Sequence, residues 1–251
     1  MKVMLLAAGR GERLRPLTDT TPKCMLRVAG RPLLEHWIEK LSTNGFRDIA
    51  VNLHSFPDQV TSYFGTGERW GVRLHYSLEE ALLGTAGGVK KLESYFELEP
   101  FLVTYADNLS SCDLVEFRRF HEKHGGLASM AVCWLEDPSS CGIVEFDDRY
   151  RILRFLEKPS PLEVFSHYIN AGIYAFEPEI FRYIPDGGCP DFSLHVFPRI
   201  LEEGHSFYAY PYRGYVLKFD RTEDWNRSLV FLESQANHPP QRPDQGIVRE
   251  L

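Results

Sequence analysis

A glycine-rich turn near the amino terminus carries residue types suited to phosphate binding. It passes from a short apolar segment through small residues to two cations, and its members are Leu6, Ala7, Ala8, Gly9, Gly11, Glu12, Arg13 and Lys23. Small residues let the backbone approach a ligand closely, and glycine tolerates positive φ. Consecutive amide N–H groups in such a turn bind phosphate oxygens, and Arg13 and Lys23 would add full positive charge. The glycines alone leave a second interpretation open, an ordinary strand-to-loop turn with surface cations.

The turn differs from two well-known phosphate-binding loops. It lacks the Gly-Lys-Ser/Thr ending of a P-loop. It also lacks the third glycine of a dinucleotide-binding fingerprint and the acidic residue that follows at a fixed spacing. Kinases of the P-loop type and dehydrogenases are therefore disfavoured.

The elements that position this turn alternate between strand and helix through the first half of the chain. The pattern predicts strands over residues 2–7, 48–52, 72–76, 101–105 and 128–132, and helices over residues 32–42, 59–64, 86–95 and 113–124. Such alternation is typical of an α/β fold in which helices cover both faces of a mainly parallel sheet. Ligands of such sheets lie beyond the carboxyl ends of the strands.

The second half of the chain has a different pattern, richer in strands. It predicts a hairpin of residues 142–146 and 150–155, a strand over 171–176 and a helix over 192–203. No linker rich in Pro, Gly or Ser divides the halves, so we expect one domain over residues 1–233. From residue 234 the apolar periodicity fades, and residues 234–251 are predicted to be a loosely attached tail.

Composition excludes several classes of protein. The 251 residues are 43% hydrophobic and 25% charged, as in ordinary globular proteins, and the formal net charge is -7. A negative field disfavours nucleic-acid binding but permits a small anion held by local cations. The apolar run over residues 3–8 is too short to span a membrane and lacks the cleavage pattern of a signal peptide. The five cysteines form no C-x-x-C pair, so neither a disulfide framework nor a zinc site is indicated. We therefore expect a cytoplasmic protein that does not associate with membranes, and the sequence leaves a homo-oligomer open.

Five segments, in order, resemble the motifs of the sugar-1-phosphate nucleotidyltransferases, and mannose-1-phosphate guanylyltransferases in particular. The glycine-rich turn and Pro22-Lys23 match the family's amino-terminal pattern. The other four segments are Tyr76-Ser77-Leu78-Glu79-Glu80 with Leu83-Gly84-Thr85-Ala86-Gly87, Phe101 to Asn108, Phe155-Leu156-Glu157-Lys158-Pro159, and Asn170-Ala171-Gly172-Ile173-Tyr174. The resemblance covers about residues 2–233. It implies a Rossmann-like α/β fold, a mainly parallel sheet flanked by helices, with a smaller β-rich sugar-binding part in the second half.

The resemblance implies transfer of a nucleoside monophosphate from an NTP to a sugar 1-phosphate, with release of pyrophosphate. Such a transfer depends mostly on positioning and charge neutralisation. By resemblance, Arg13, Lys23 and Lys158 are the catalytic cations: Arg13 and the amides of residues 9–11 hold the triphosphate, Lys23 neutralises charge at the reacting phosphates, and Lys158 holds the sugar phosphate. The nucleotide site would be Leu6, Ala7, Ala8, Gly9, Gly11, Glu12, Arg13, Glu79, Gly84 and Thr85. The sugar-phosphate site would be Gly142, Glu157, Lys158, Asn170 and Gly172.

The resemblance also implies Mg²⁺, held by two aspartates. Asp107, at the end of a predicted strand, matches the first of them, although a lone aspartate there is more often a loop cap. The second is less direct, because a gapless match puts Lys218 at the metal position and a shifted match puts Asp220 there. A charged lysine cannot coordinate magnesium, so Asp220 is favoured. A site with one aspartate, or a relative that binds nucleotide sugars without turnover, is the alternative.

Base and sugar preference rest on fewer residues. A carboxylate at Glu79 accepts hydrogen bonds and cannot donate them, which favours GTP because guanine offers adjacent N1–H and N2–H donors. A solvated Glu79, with the base read by backbone groups, is the alternative, and cytidylyl-, uridylyl- or thymidylyltransferases of the family remain open. For the sugar, mannose or manno-heptose 1-phosphate is favoured.

Overall fold

The computed structural model describes residues 1–237 of the chain. Its strands are β1 Lys2–Leu6, β2 Arg27–Val28, β3 Arg31–Pro32, β4 Asp48–Leu53, β5 Arg73–Leu78, β6 Phe101–Tyr105, β7 Asn108–Ser110, β8 Ala128–Trp134, β9 Gly142–Phe146, β10 Ile152–Glu157, β11 Tyr168–Phe176, β12 Phe207–Tyr212 and β13 Val216–Lys218. Its α-helices are α1 Leu33–Thr43, α2 Pro57–Phe64, α3 Gly84–Lys90, α4 Glu93–Phe96, α5 Leu114–His124, α6 Phe197–Glu202 and α7 Thr222–Asn237. The strand and helix series of the first half therefore follows the predicted order.

One half of the central sheet is parallel. Strand β1 pairs with β4 and β6, and β4 pairs with β5, all in parallel. Successive side chains of a strand point to opposite faces, and β1 is apolar on both of its faces. Met4 and Leu6 pack toward α3, α4 and α6, whereas Val3 and Leu5 pack toward α1, α2 and α5. The predicted layer of helices on each face of a large sheet is confirmed.

The other half of the sheet is built around β11, which runs antiparallel to β6, β8 and β9. Strand β10 forms the predicted hairpin with β9, and β12 joins β8 in parallel. The register of β11 against β8 shifts between Asn170 and Tyr174, and Gly172 inside this irregularity has φ +71°. The second half is thus more β-rich, as its sequence predicts.

A small separate sheet connects two distant parts of the chain. Strands β7 and β13 pair antiparallel, with Lys218 opposite Asn108. Because β7 begins directly after Asp107, this pairing brings residues 218–220 to the carboxyl end of β6. The sheet positions a candidate residue from the end of the domain beside one from its centre.

Several predicted elements differ from the structure at their ends, and three of the differences have a local cause. The helix predicted over 86–95 is two helices, because Leu92 between them leaves helical geometry with φ -106° and ψ 21°. Tyr150 has φ +65° and belongs to the turn of the hairpin, so β10 begins at Ile152 rather than at 150. The helix predicted over 192–203 opens with a π-helical turn, Phe192–Val196, that precedes α6.

The last described helix, α7, extends beyond residue 233 to Asn237. Residues 238–251 of the predicted tail lie outside the described residues. Within residues 1–237, no helix is both long and apolar enough to cross a bilayer.

Candidate functional site

A cavity of about 700 Å³ opens at the carboxyl ends of β1, β4, β5 and β6. The predicted residues among those that line it are Leu6, Ala8, Gly9, Glu79, Gly84, Thr85, Asp107, Gly142, Glu157, Lys158, Asn170, Gly172 and Asp220. Five other predicted residues, Ala7, Gly11, Glu12, Arg13 and Lys23, are not among the lining residues, although Ala7 donates to Asn52 of the lining and Lys23 donates to Asp107 and Asp220. The structure therefore brings together side chains that are more than 200 positions apart in the sequence.

Gly9 and Gly11 have different structural reasons to be glycine. Gly11 has φ +64°, and a Cβ there would lie 2.8 Å from Cγ2 of Thr18 and 3.1 Å from Cβ of Lys23. A Cβ on Gly9 would meet no atom within 4 Å, so packing does not require glycine there. Within residues 1–237, the amides of Gly9, Arg10 and Gly11 donate to no other protein group. Such free amides suit an anion at this turn.

Lys23 lies at the centre of the candidate phosphate site. Its Nζ donates to Oδ2 of Asp107 at 2.9 Å and to Oδ1 of Asp220 at 2.6 Å, and its side chain is only 8% exposed. Burial acts to lower the pKa of Lys23, but the two carboxylates outweigh it and the pKa is raised, so the group is an ammonium. Burial likewise acts to raise the pKa of Asp220, and Lys23, with Lys218 and Arg13, lowers it by more. Lys23 and Asp220 thus hold each other in the ionised state.

Asp220, rather than Lys218, joins Asp107 on this ammonium. The Lys218 side chain also lines the cavity, but its Nζ contacts the carbonyl and hydroxyl oxygens of Ser140 at 3.2 and 3.1 Å and Sγ of Cys141 at 2.8 Å. Asp220, the residue that the shifted match favours, thus lies beside Asp107, because both carboxylates accept from the same ammonium. Lys218 instead holds the turn between β8 and β9.

The two aspartates fit the chemistry of a magnesium ion. Mg²⁺ binds hard oxygen ligands, and in proteins it uses one or two carboxylates while phosphate oxygens and water supply the rest. Asp107 and Asp220 have side chains 47% and 41% exposed, so oxygens on both are accessible. No group of three His, Cys, Asp or Glu side chains that could hold a metal occurs within residues 1–237. Both aspartates stay predictions as metal ligands.

The opposite side of the cavity is the hairpin β9–β10. Glu157 and Gly142 are direct partners in it, and a Cβ on Gly142 would lie 2.7 Å from Oε2 of Glu157. Glycine therefore makes room for the carboxylate. Lys158 follows with φ +48°, its side chain is 62% exposed, and its Nζ is 3.6 Å from Oε1 of Glu157. Lys158 thus presents a solvated cation to the cavity beside an acceptor for hydroxyl groups.

Strand β11 contributes the floor of this side. Asn170 accepts from the Gly172 amide at 2.9 Å and donates to the Tyr174 hydroxyl at 2.8 Å. A Cβ on Gly172 would lie 2.5 Å from Cδ2 of Tyr105, so this position has no room for a side chain. Burial raises the pKa of Tyr105 and of Tyr174, which keeps both hydroxyls neutral.

The base side of the cavity is formed by the segment after β5. Glu79 is 4% exposed, and its Oε1 accepts from Nδ2 of Asn52 at 2.8 Å while its Oε2 accepts from the Leu83 amide at 3.0 Å. The carboxylate is therefore not solvated, so the solvated alternative is wrong, and its role in reading the base stays a prediction. The Thr85 hydroxyl donates to Oδ2 of Asp191 at 2.8 Å. Its side chain is thereby tied to the opposite segment.

Sequence reasoning missed several residues that line the cavity: Asn52, Leu82, Tyr105, Asn108, Ser140, Cys141, Cys189, Asp191, Ser193, Leu194 and Val216. Asn52 had a usable signal, because it is a polar residue at the carboxyl end of a predicted strand. Asp191 had another, because it precedes a predicted helix and accepts from the amides of Ser193 and Leu194 as a cap.

Comparisons with known proteins define the class of this chain. A family model described as nucleotidyl transferase matches residues 2–226. The chain is 39% identical over 222 residues to a UTP–glucose-1-phosphate uridylyltransferase of Synechocystis sp., a match that covers 83% of this chain and 57% of that protein. It is 32% identical to a mannose-1-phosphate guanylyltransferase of Mycobacterium tuberculosis, over 97% of this chain and 68% of that protein.

A solved structure has the same fold. HddC from Yersinia pseudotuberculosis superposes with a TM-score of 0.78 at 22% identity, over 92% of this chain and 99% of that one. The chain belongs to the nucleotidyl transferase family. It spans only 57% of the length of the Synechocystis relative.

Proposed function

We propose that the chain transfers a nucleoside monophosphate from an NTP to a sugar 1-phosphate. The observation that carries the proposal is the contact of Lys23 with both Asp107 and Asp220, between the glycine-rich turn and the Glu157–Lys158 hairpin. A buried cation flanked by two accessible carboxylates suits a reaction between two phosphates with a divalent ion. The family and the names of the relatives support the same reaction.

In this reaction an oxygen of the sugar 1-phosphate attacks the α-phosphorus of the NTP. A new P–O bond forms, the bond from that phosphorus to the bridging oxygen of the β-phosphate breaks, and pyrophosphate leaves with the bond's electron pair. Both reactants are anions, so the residues act mainly by holding them together and neutralising their charge. Free amides of Gly9 to Gly11 and Arg13 hold the triphosphate, and Lys23 offsets charge near the α-phosphate.

The sugar side orients the nucleophile. Lys158 pairs with the sugar phosphate, Glu157 and Asn170 bind hydroxyl groups, and Gly142 and Gly172 line the cavity beside them. Asp107 and Asp220 would hold Mg²⁺, which supplies positive charge to the phosphates when bound. Lys23 lowers the pKa of Asp220 and so keeps that carboxylate ionised for this role.

For the substrates, we propose GTP and mannose or manno-heptose 1-phosphate. Glu79 supports GTP because both of its oxygens are acceptors and it lines the cavity. The name of the Mycobacterium relative supports the pair GTP and mannose 1-phosphate, whereas that of the Synechocystis relative supports UTP and glucose 1-phosphate. The two pairs are therefore the first to compare.

The test is pyrophosphate release from each NTP with a panel of sugar 1-phosphates, with magnesium and with EDTA. We expect turnover that requires magnesium and is fastest with GTP. Pyrophosphate release with UTP and glucose 1-phosphate alone would show that the proposed substrates are wrong and that the proposed reaction is right. Nucleotide sugars that raise Tm, without product from any pair, would instead support a binding protein without turnover.

A further inference from the structure

Asn52 joins two loops that border the nucleotide side of the cavity. It lies in β4, between β1 and β5, and is 3% exposed. Its Oδ1 accepts from the amide of Ala7, directly after β1, at 2.7 Å. Its Nδ2 donates to Oε1 of Glu79, directly after β5, at 2.8 Å. One side chain thus connects the glycine-rich turn to the base side across the carboxyl edge of the sheet.

The hydrogen bonds of Asn52 have a fixed direction. A backbone N–H can only donate, so the carbonyl oxygen of Asn52 must face Ala7 and its NH₂ must face Glu79. Glu79 must then accept from Asn52, and it accepts from the Leu83 amide as well. Both oxygens of Glu79 therefore face N–H donors, that of Asn52 and that of Leu83. A glutamine at position 79 would turn its NH₂ group toward one of these donors, so the arrangement favours a carboxylate there.

Helix α3 packs directly against this pair. A Cβ on Gly88 of α3 would lie 2.8 Å from both Nδ2 of Asn52 and Oε1 of Glu79. Helix α3 therefore closes over the hydrogen bond from one side, and the cavity borders both side chains from the other. An unpaired amide or carboxylate here would be buried, which makes loss of either partner costly.

We propose that Asn52 is a positioning residue that sets the nucleotide preference of the site, an inference that rests on the proposed function. It keeps the phosphate-binding turn in register with the base side. It also holds Glu79 as a group that presents only acceptors, which selects a base with adjacent N–H donors. Asn52 touches neither reacting phosphate, so it acts through Ala7 and Glu79.

The experiment compares Asn52→Ala, Asn52→Asp, Glu79→Gln and the double variant Asn52→Asp/Glu79→Gln. Dissociation constants for GTP and UTP are measured by calorimetry, which needs no turnover. In the double variant the new carboxylate at position 52 accepts from the Ala7 amide and from the new side-chain NH₂ at position 79. The amide oxygen at position 79 accepts from Leu83, so every hydrogen bond is restored and the one between the two side chains is reversed. Asn44→Ala, which removes an amide that donates to the Lys40 carbonyl outside the cavity, is the matched control.

We expect Asn52→Ala to weaken binding of both nucleotides about tenfold, and Asn52→Asp to weaken it further because two carboxylates then face each other. The double variant should recover most of the loss of Asn52→Asp. Its ratio of GTP to UTP affinity should nevertheless fall about tenfold, because its side chain at position 79 presents an N–H donor near the base in place of an acceptor.

If the wild type binds nucleotide, two results would overturn this inference and leave the proposed function in place. One is unchanged affinity in Asn52→Ala. The other is a double variant that regains its Tm and affinity while its GTP to UTP ratio stays at the wild-type value, since a merely structural link would behave in that way. Wild-type protein that binds neither nucleotide would overturn the proposed function, and this inference with it.

Discussion

The two sides of the cavity are built by different halves of one sheet. On the parallel side, the lining residues follow strand ends: Gly9 after β1, Glu79 after β5 and Asp107 after β6. On the antiparallel side, they lie within strands: Gly142 in β9, Glu157 in β10 and Asn170 in β11. Parallel strands open a crevice beyond their carboxyl ends, whereas an antiparallel strand presents alternate side chains along one face.

The two sides also differ in the space around their glycines. Gly9, on the parallel side, has open space around it, and its glycine leaves room for a ligand. Gly172, on the antiparallel side, is packed against Tyr105, and its glycine leaves room for the protein itself. The same residue type therefore serves binding on one side and folding on the other.

Loss of either aspartate beside Lys23 should have the largest effect. Asp107→Ala and Asp220→Ala each remove a proposed magnesium ligand and one partner of the ammonium, and we expect kcat to fall about 100-fold or more. Lys218→Met should lower kcat by about tenfold at most, because Lys218 contacts Ser140 and Cys141 instead. Pyrophosphate release at saturating magnesium measures all three, with exposed Asp186→Ala as the control. Equal activity of Asp220→Ala and wild type, beside an inactive Lys218→Met, would favour the gapless match.

Gly172→Ala should have the next largest effect, on stability. The new methyl group would lie 2.5 Å from the Tyr105 ring in a backbone with φ +71°. Left-handed backbone costs about 1–2 kcal/mol for a residue with Cβ, and overpacking about 1–3 kcal/mol more. We expect a loss of about 2–5 kcal/mol in the free energy of unfolding, measured by urea denaturation. A loss below about 0.5 kcal/mol would mean that the antiparallel side adapts as easily as a loop.

Gly9→Ala should show the opposite profile. Its methyl group meets no protein atom, so the free energy of unfolding should change by less than about 1 kcal/mol. The same methyl group would occupy space proposed for the triphosphate, and we expect KM for the NTP to rise about tenfold while KM for the sugar 1-phosphate stays within about twofold. Unchanged KM for the NTP would place the triphosphate elsewhere.

The parallel side was predictable because its signals are local. Short apolar runs and the residues that follow them gave the order of β1, β4, β5 and β6 and marked Asp107 as a strand-end residue. The link through Asn52 was not predictable, since it depends on which strand lies between β1 and β5. Residue spacing along the chain does not contain that neighbour relation.

The antiparallel side and its connections were harder to predict from the sequence. Strands β7 and β13 have three residues each and pair across more than 100 positions, so neither shows a periodic pattern. Without that pairing, the sequence left both Lys218 and Asp220 open beside Asp107. The π-helical turn before α6 was hidden for a similar reason, because its first amide, that of Phe192, donates to Thr85, which lies more than 100 positions earlier in the chain.

The smallest effect concerns a residue that lines neither side. Asp113 caps α5 by accepting from the amides of Val115 and Glu116 at 2.9 and 3.0 Å. Asp113→Ala should lower the free energy of unfolding by about 1 kcal/mol and leave KM for both substrates unchanged. Because it changes stability without changing the cavity, it gives the baseline against which Gly172→Ala and Gly9→Ala are compared. A rise in either KM in Asp113→Ala would mean that substrate binding depends on the overall stability of the fold, and not on the local packing of each side of the cavity.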